Sequence, residues 1–387
     1  MDVKELKSAF SKSDQIDSTA NALQLIGTKI KWKGHVGSSK SIAASCVADQ
    51  APGNHVFILE DKEQAAYFLN DIEGLNPNNS NVLFYPASYR VPYELEKTDN
   101  ANVVARAEVL EKISKGRNTW VVTYPKALFE KVPSQKNLIK STLKVEVSKS
   151  YSIDFINETL QDEGFERVDF VYEPGQFSIR GGIVDVFSFS NDHPYRIEFF
   201  GDEVESIRTF DASTQLSINK HNHFNIVPNI QGALIRQGNV SIFDFVGESA
   251  TIWMSSVEQT KVQIDKEYKK ALTIYGALDT ASVPTIPAEL FLHPTDLEKT
   301  LDRSTVIEFG SDHYFKSSDI IAFNFSPQPS FNKNFDILAE DLVNRTKAKF
   351  TNLIFSNQPK QIDRLYQIFE DTNKEVTFKP VNIALHE

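Results

Sequence analysis

The residues of this chain best suited to chemistry form the run Gly34-His35-Val36-Gly37-Ser38-Ser39-Lys40-Ser41. In the phosphate-loop pattern G-x-x-x-x-G-K-[ST], backbone amides cradle phosphate oxygens, the lysine reaches the terminal phosphates and the hydroxyl ligates magnesium. Gly34, Lys40 and Ser41 keep their places in that pattern and Gly37 lies inside the loop, but Ser39 stands where the last glycine belongs. A serine forced there to positive φ costs about 1–2 kcal/mol, and its β-carbon crowds a phosphate. The preceding strand is oddly polar, with Lys31 and Lys33 flanking Trp32. Hydrolysis also needs a hydrophobic strand ending in an acid that helps to hold magnesium. The best candidate, Thr251-Ile252-Trp253-Met254, runs into Ser255-Ser256. Glu60-Asp61 ends a strand, but at the place after the first helix where a sheet-edge turn commonly puts solvated acids. The loop is expected to be a degenerate remnant on a retained scaffold, with no catalytic residue.

Other groups offer less. His221 and His223 alternate as if on one face of a strand, but no cysteine or third ligand is near, so a polar loop is expected and no metal. Cys46 lies among Ala43, Ala44, Val47 and Ala48 and reads as core packing. It is the only cysteine, so no internal disulfide is possible. The arginines are more informative. Between Tyr151 and Ser213 there are fourteen Asp and Glu against four Arg and no Lys, a charge of -10 out of -11 for the whole chain. That balance opposes binding to a polyanion, which needs a basic track along the phosphates. The four are Arg167, Arg180, Arg196 and Arg208. Phe177 and Ile179 alternate with Ser178 and Arg180, so Arg180 is expected to project from the outer face of a strand. A guanidinium there can take a partner's carboxylate and is a common hot-spot group. The same alternation is compatible with Arg180 and Arg196 only neutralising neighbours such as Asp185 and Glu198.

The elements that must carry these residues fall into four stretches. Residues 1–126 alternate helical and extended patterns: strands at Ile30–Trp32, Val56–Leu59, Val82–Tyr85 and Trp120–Thr123, with helices between them. Those are βαβ units of a parallel sheet. Within 127–213 the period becomes two from about Val168, with turns at Pro174-Gly175, Gly181-Gly182, Asn191-Asp192 and Gly201-Asp202, as in an inserted antiparallel domain. Residues 214–325, with a strand at Thr251–Met254 and a helix over Val262–Tyr275, are expected to complete the first domain. The prolines of Ser326-Pro327-Gln328-Pro329-Ser330 mark a linker. After it come a helix (Phe335–Lys347), a strand (Leu353–Phe355), a helix (Gln361–Phe369) and a strand (Val381–Leu385), the start of a further α/β domain in a chain expected to be cut from a longer protein. A hydrophobic share of 41% supplies several cores, and no apolar run approaches the ~20 residues of a membrane span. Neither a signal-peptide core nor a disulfide pair is present, so a cytoplasmic location and no membrane partner are expected.

Two runs resemble a known family. They are Val168-Asp169-Phe170-Val171-Tyr172-Glu173-Pro174-Gly175-Gln176-Phe177-Ser178-Ile179-Arg180-Gly181-Gly182-Ile183-Val184-Asp185-Val186-Phe187 and Tyr195-Arg196-Ile197-Glu198-Phe199-Phe200-Gly201-Asp202-Glu203-Val204-Glu205-Ser206-Ile207-Arg208. In their order and spacing they are similar to the inserted domain shared by the excinuclease protein UvrB and the transcription-repair coupling factor. The damaged loop favours the coupling factor. So does the short passage from Tyr85 through Glu94 to the helix near Arg106, which leaves no room for the DNA-clamping hairpin of UvrB. The resemblance implies a degenerate RecA-like, phosphate-loop α/β domain interrupted by a small, mostly antiparallel domain. It implies a non-catalytic adaptor that recruits the excinuclease protein UvrA to stalled RNA polymerase in transcription-coupled nucleotide excision repair. Arg167 and Arg180 match the family's contact positions, with Phe187 as an apolar companion and Arg196 nearby. RNA polymerase and DNA would be engaged by further parts of the chain, which would also carry ATP and magnesium, and a C-terminal domain is expected to be able to cover the docking face. The rival reading is an ATP-dependent DNA-processing enzyme like UvrB, with this segment binding nucleotide or DNA itself.

Overall fold

The structure is a computed structural model that describes residues 1–88, 91–93, 100–116, 118–227, 238–278, 285–371 and 375–386. Its largest sheet has seven parallel strands, in the spatial order Asp319–Ala322, Lys29–Lys33, Thr305–Glu308, Thr251–Met254, His55–Ile58, Trp120–Thr123, Val82–Phe84. The middle strands are buried along their whole length and mostly apolar, as strands covered on both faces must be. Lys29–Lys33 is the exception, and two of its three lysines are used structurally. The Lys29 ammonium gathers the carbonyls of Gly27, Asp302 and Ser304, capping the end of helix Pro294–Arg303. The Lys31 ammonium donates to the carbonyls of Gly310 (2.6 Å) and Asp312. Burial holds both ammonium groups below the usual lysine range.

The second sheet has six strands, in the order Ser217–His221, Glu203–Phe210, Tyr195–Phe200, Ile183–Val186, Gln176–Arg180, Glu166–Arg167, antiparallel except for the last pair. Phe177, Val184, Val186, Ile197, Val204 and Ile207 are buried and share one core with Ile156 and Leu160 of helix Ile153–Asp162. Strand pairing runs past Ser213. The Asp211 carboxylate accepts the amides of Ser213 (3.1 Å) and Thr214 (2.7 Å), which makes the polar stretch there a hairpin turn within the sheet. His223–Ile226 then pairs with Leu143–Glu146, so the chain leaves this unit beside the point where it enters. Val132–Pro133 pairs instead with Asn239–Val240, and Glu130 bridges Phe291, so this entry segment packs with the parallel-sheet body.

Of the passage from Tyr85 to Glu94, Tyr89, Arg90 and Glu94 lie outside the described residues. Arg106 anchors its near side, donating to the carbonyls of Pro86 (2.9 Å) and Ala127 (3.1 Å) and pairing with buried Glu130. At the other end of the chain, helices Phe335–Lys347 and Pro359–Asp371 cover a pair of parallel strands, Leu353–Phe355 and Lys379–Val381. The strand expected at Val381–Leu385 ends at Val381. Beyond it Ile383 packs against Gly74, and the amide and Nδ1 of His386 both meet the Asp71 carboxylate at 2.9 Å.

His55 ties the sheet centre together. Its Nδ1 accepts the Trp253 indole N–H at 3.1 Å, which leaves the proton on Nε2, 2.7 Å from the Ala51 carbonyl. That tautomer is neutral, and burial lowers the imidazole to about 4. The folded state therefore resists a proton that the unfolded chain accepts near 6.5, so the contribution is complete above that pH and is lost as pH falls toward 4. Its size is on the order of 3 kcal/mol. Urea unfolding is expected to lose stability between about pH 7 and about pH 4.5 in the wild type, with a visibly shallower fall in His55→Gln.

Candidate functional site

The loop from Gly34 to Ser41 sits at the C-terminal end of Lys29–Lys33 and leads into helix Ser39–Gln50, the place and connection a phosphate loop requires. Most of the groups that would serve a phosphate have another role. Gly34, at φ +83, lies so close to the neighbouring strand's continuation that an added Cβ would fall 2.0 Å from the Phe323 carbonyl oxygen. Its glycine is explained by that approach. The imidazole of His35 packs among Trp32 (4.9 Å between ring centres), Phe323 (4.1 Å) and Phe325 (5.5 Å), and burial with Lys40 nearby lowers it to about 4. Ser39 is not strained as expected, because it is the first residue of the helix and has no positive φ. Its hydroxyl instead accepts the Val36 amide at 3.0 Å, removing a donor from the loop. The Ser41 hydroxyl is buried and donates to Asp71 at 3.0 Å, and the same carboxylate holds His386. Within the loop, Lys40 keeps an ammonium without an ion pair among the described residues.

Sequence reasoning passed over Glu308. It ends the hydrophobic strand Thr305–Glu308, which lies directly beside Lys29–Lys33, so the signal of an apolar strand closed by an acid was present. The buried carboxylate accepts the amides of Tyr314 (2.8 Å) and Phe315 (3.2 Å), turning it into a loop anchor. His221 and His223 do not share a strand. The first ends Ser217–His221, the second begins His223–Ile226, and the two strands pair in different sheets. Cys46 is fully buried, with its thiol raised by that burial.

The outer face of the six-stranded sheet is organised by one carboxylate. Asp185 is completely buried and lies opposite Ser178 on one side and Arg196 on the other. Arg196 grips it with two bonds, Nε to Oδ1 at 2.7 Å and Nη2 to Oδ2 at 2.8 Å, and also donates to Gln215 while its plane covers Phe210. Arg180 reaches Asp185 diagonally with one Nη2 bond of 2.5 Å and places Nη1 2.9 Å from the Asp169 carbonyl. The two arginines thus differ. Arg196 is 15% exposed and makes three side-chain N–H bonds, whereas Arg180 is 35% exposed and makes two, leaving more of its five N–H groups unshared among the described residues. Arg208 is held by Glu198.

Arg180 precedes a turn that needs glycine twice: Gly181 has φ +59, and a Cβ on Gly182 would lie 2.9 Å from the Phe199 carbonyl oxygen. Arg167, on the edge strand, is exposed. Phe187 is buried with Val171 and Phe210, beneath this face and not on it. The segment fixed by Val171 carries two exposed aromatics that sequence reasoning did not single out, Phe170 and Tyr172.

Over residues 143–231 the chain matches the UvrB interaction domain family. It is 29% identical over 223 residues to the transcription-repair-coupling factor of Bacillus subtilis, covering 58% of this chain and 19% of that protein. The coupling factor of Myxococcus xanthus is 34% identical over 208 residues, 52% of this chain and 17% of that protein. The UvrABC system protein B of Streptococcus mutans is 24% identical over 304 residues, 74% of this chain and 42% of its own length. The chain spans about a fifth of the length of these two coupling factors. The chain is thus similar to the transcription-repair-coupling factors over about half its length, and residues 143–231 match the UvrB interaction domain.

The geometry ranks the arginines by structural weight. Asp185→Ala leaves two guanidinium groups facing an apolar floor and is expected to cost on the order of 3 kcal/mol. Arg196→Ala, which removes the buried carboxylate's main partner, should approach that loss, whereas Arg180→Ala should cost less than about 1 kcal/mol. Urea midpoints of the three variants check the order.

Proposed function

We propose that this chain, a relative of the coupling factors with a UvrB interaction domain, is a docking module that recruits the excinuclease protein UvrA to RNA polymerase stalled at DNA damage. The observation that carries the reading is the state of Arg180: positioned by Asp185 and Asp169, yet open on its outer side. A guanidinium already oriented loses little freedom on binding, and its free N–H groups suit a partner's carboxylate. Arg167, on the edge strand that pairs with Gln176–Arg180, adds a second exposed cation in a domain that is otherwise strongly acidic. In this reading Phe187 supports the surface from below and Arg196 holds its frame.

The seven-stranded parallel sheet with a loop at the end of Lys29–Lys33 supports a RecA-like origin for the larger domain. The role proposed for this segment is non-catalytic, supported by the diversion of Ser39 to the Val36 amide and of Ser41 to Asp71. ATP, magnesium, DNA and the polymerase would be engaged by other parts of a longer chain. A further domain of that chain could also cover the docking face.

Titration calorimetry with purified UvrA is expected to show binding that Arg180→Ala weakens at least tenfold, about 1.4 kcal/mol, with unfolding unchanged within about 1 kcal/mol. Wild-type affinity in that variant contradicts the site. The nucleotide reading is checked separately: neither the wild type nor Lys40→Ala should turn over ATP, and turnover abolished by that substitution would support the UvrB-like alternative.

A further inference from the structure

The segment between Arg167 and Gly175 has features that the arginines alone do not require. Phe170 is 50% exposed and Tyr172 57% exposed, while Val171 between them is completely buried against Phe187 and Phe210. With Val171 pointing inward, its two neighbours face the solvent side. Two large aromatics exposed within three residues are costly to leave in water, and the segment that carries them is fixed in place. The Gln176 side-chain oxygen accepts the amides of Tyr172 (3.0 Å) and Glu173 (3.1 Å). The Asp169 carbonyl accepts from the Ser178 hydroxyl and from Arg180, both at 2.9 Å. Gly175, at φ +85, closes the segment where a Cβ would run into the Phe189 ring at 2.4 Å. The Phe170 ring lies under the Arg180 guanidinium, 4.7 Å from its centroid, so cation and aromatic form one continuous surface.

We infer that Phe170 and Tyr172 are the apolar anchors of the docking surface, and that the partner segment received there pairs a carboxylate, taken by Arg180, with an aliphatic or aromatic side chain packed on the two rings. This inference rests on the proposed docking function and states what chemistry the partner must present. Rigid aromatics lose little side-chain freedom when covered, and Tyr and Arg dominate interface hot spots. Covering the rings also removes water from the Arg180 pair, which strengthens its bond to the incoming carboxylate. The acidic neighbours Asp169 and Glu173 stay at the rim, where they disfavour a partner whose carboxylates lie anywhere but opposite the arginines.

The test is calorimetry of the whole chain with purified UvrA, at low and at moderate salt. Tyr172→Ala is expected to weaken binding at least tenfold at both salt concentrations with an unchanged melting temperature, while Tyr172→Phe stays within about twofold of wild type. The loss from Arg180→Ala should shrink as salt rises. Phe170→Leu, which keeps an apolar group beneath the guanidinium, separates packing under Arg180 from contact with the partner and is expected to lose less than Tyr172→Ala. Wild-type affinity in Tyr172→Ala, alongside a strong loss in Arg180→Ala, overturns the aromatic anchors and leaves the docking function standing. Absence of binding by the wild type, or wild-type affinity in Arg180→Ala, overturns both.

Discussion

The outer face of the antiparallel sheet depends on one buried charge. Asp185 has no exposed surface, so an isolated carboxylate there would be prohibitively costly, and the fold supplies two guanidinium groups in compensation. Their placement follows from strand register. Arg196 lies directly opposite Asp185 and can make two bonds, whereas Arg180 lies opposite Ile183 and must reach diagonally for one. The same ion-pair network therefore yields one arginine committed to structure and one whose position is fixed while its outer side is free. The paired glycines after Arg180 serve that register: Gly181 takes the positive φ of the turn, and the approach to Phe199 leaves no room for a side chain at Gly182.

The parallel sheet carries the opposite lesson about a familiar motif. A loop keeps the outline of a phosphate cradle while its hydroxyls and glycine are drawn into packing: Gly34 to Phe323, Ser39 to Val36, Ser41 to Asp71. Asp71 extends this coupling to the end of the described chain through His386, so the helix after the loop is tied both to its neighbour and to the C-terminal unit.

Much of this was legible in the sequence where periodicity and turn chemistry agree. The apolar runs of the parallel sheet, the helix Phe335–Lys347 and the turns at Gly175, Gly181 and Gly201 lie where spacing puts them. The hairpin after Phe210 was not legible as such, because its Asx turn has the composition of a domain boundary. Nor could sequence settle whether Arg180 or Arg196 is the free one, since that depends on which cross-strand neighbour is diagonal. Phe170 and Tyr172 escaped notice for a related reason: a run of Phe, Val and Tyr reads as core, and only burial of Val171 turns its neighbours outward. Glu308 did carry a signal, but the adjacency of its strand to Lys29–Lys33 is a fact of topology.

The central claim is that the face built on Asp185, and not the loop at Gly34, meets the partner. Hydrogen exchange of the chain with and without UvrA tests this most directly. The account predicts slowed exchange over residues 167–182 with the loop at 34–41 unchanged. Protection at 34–41, with 167–182 exchanging as in the free chain, would contradict it.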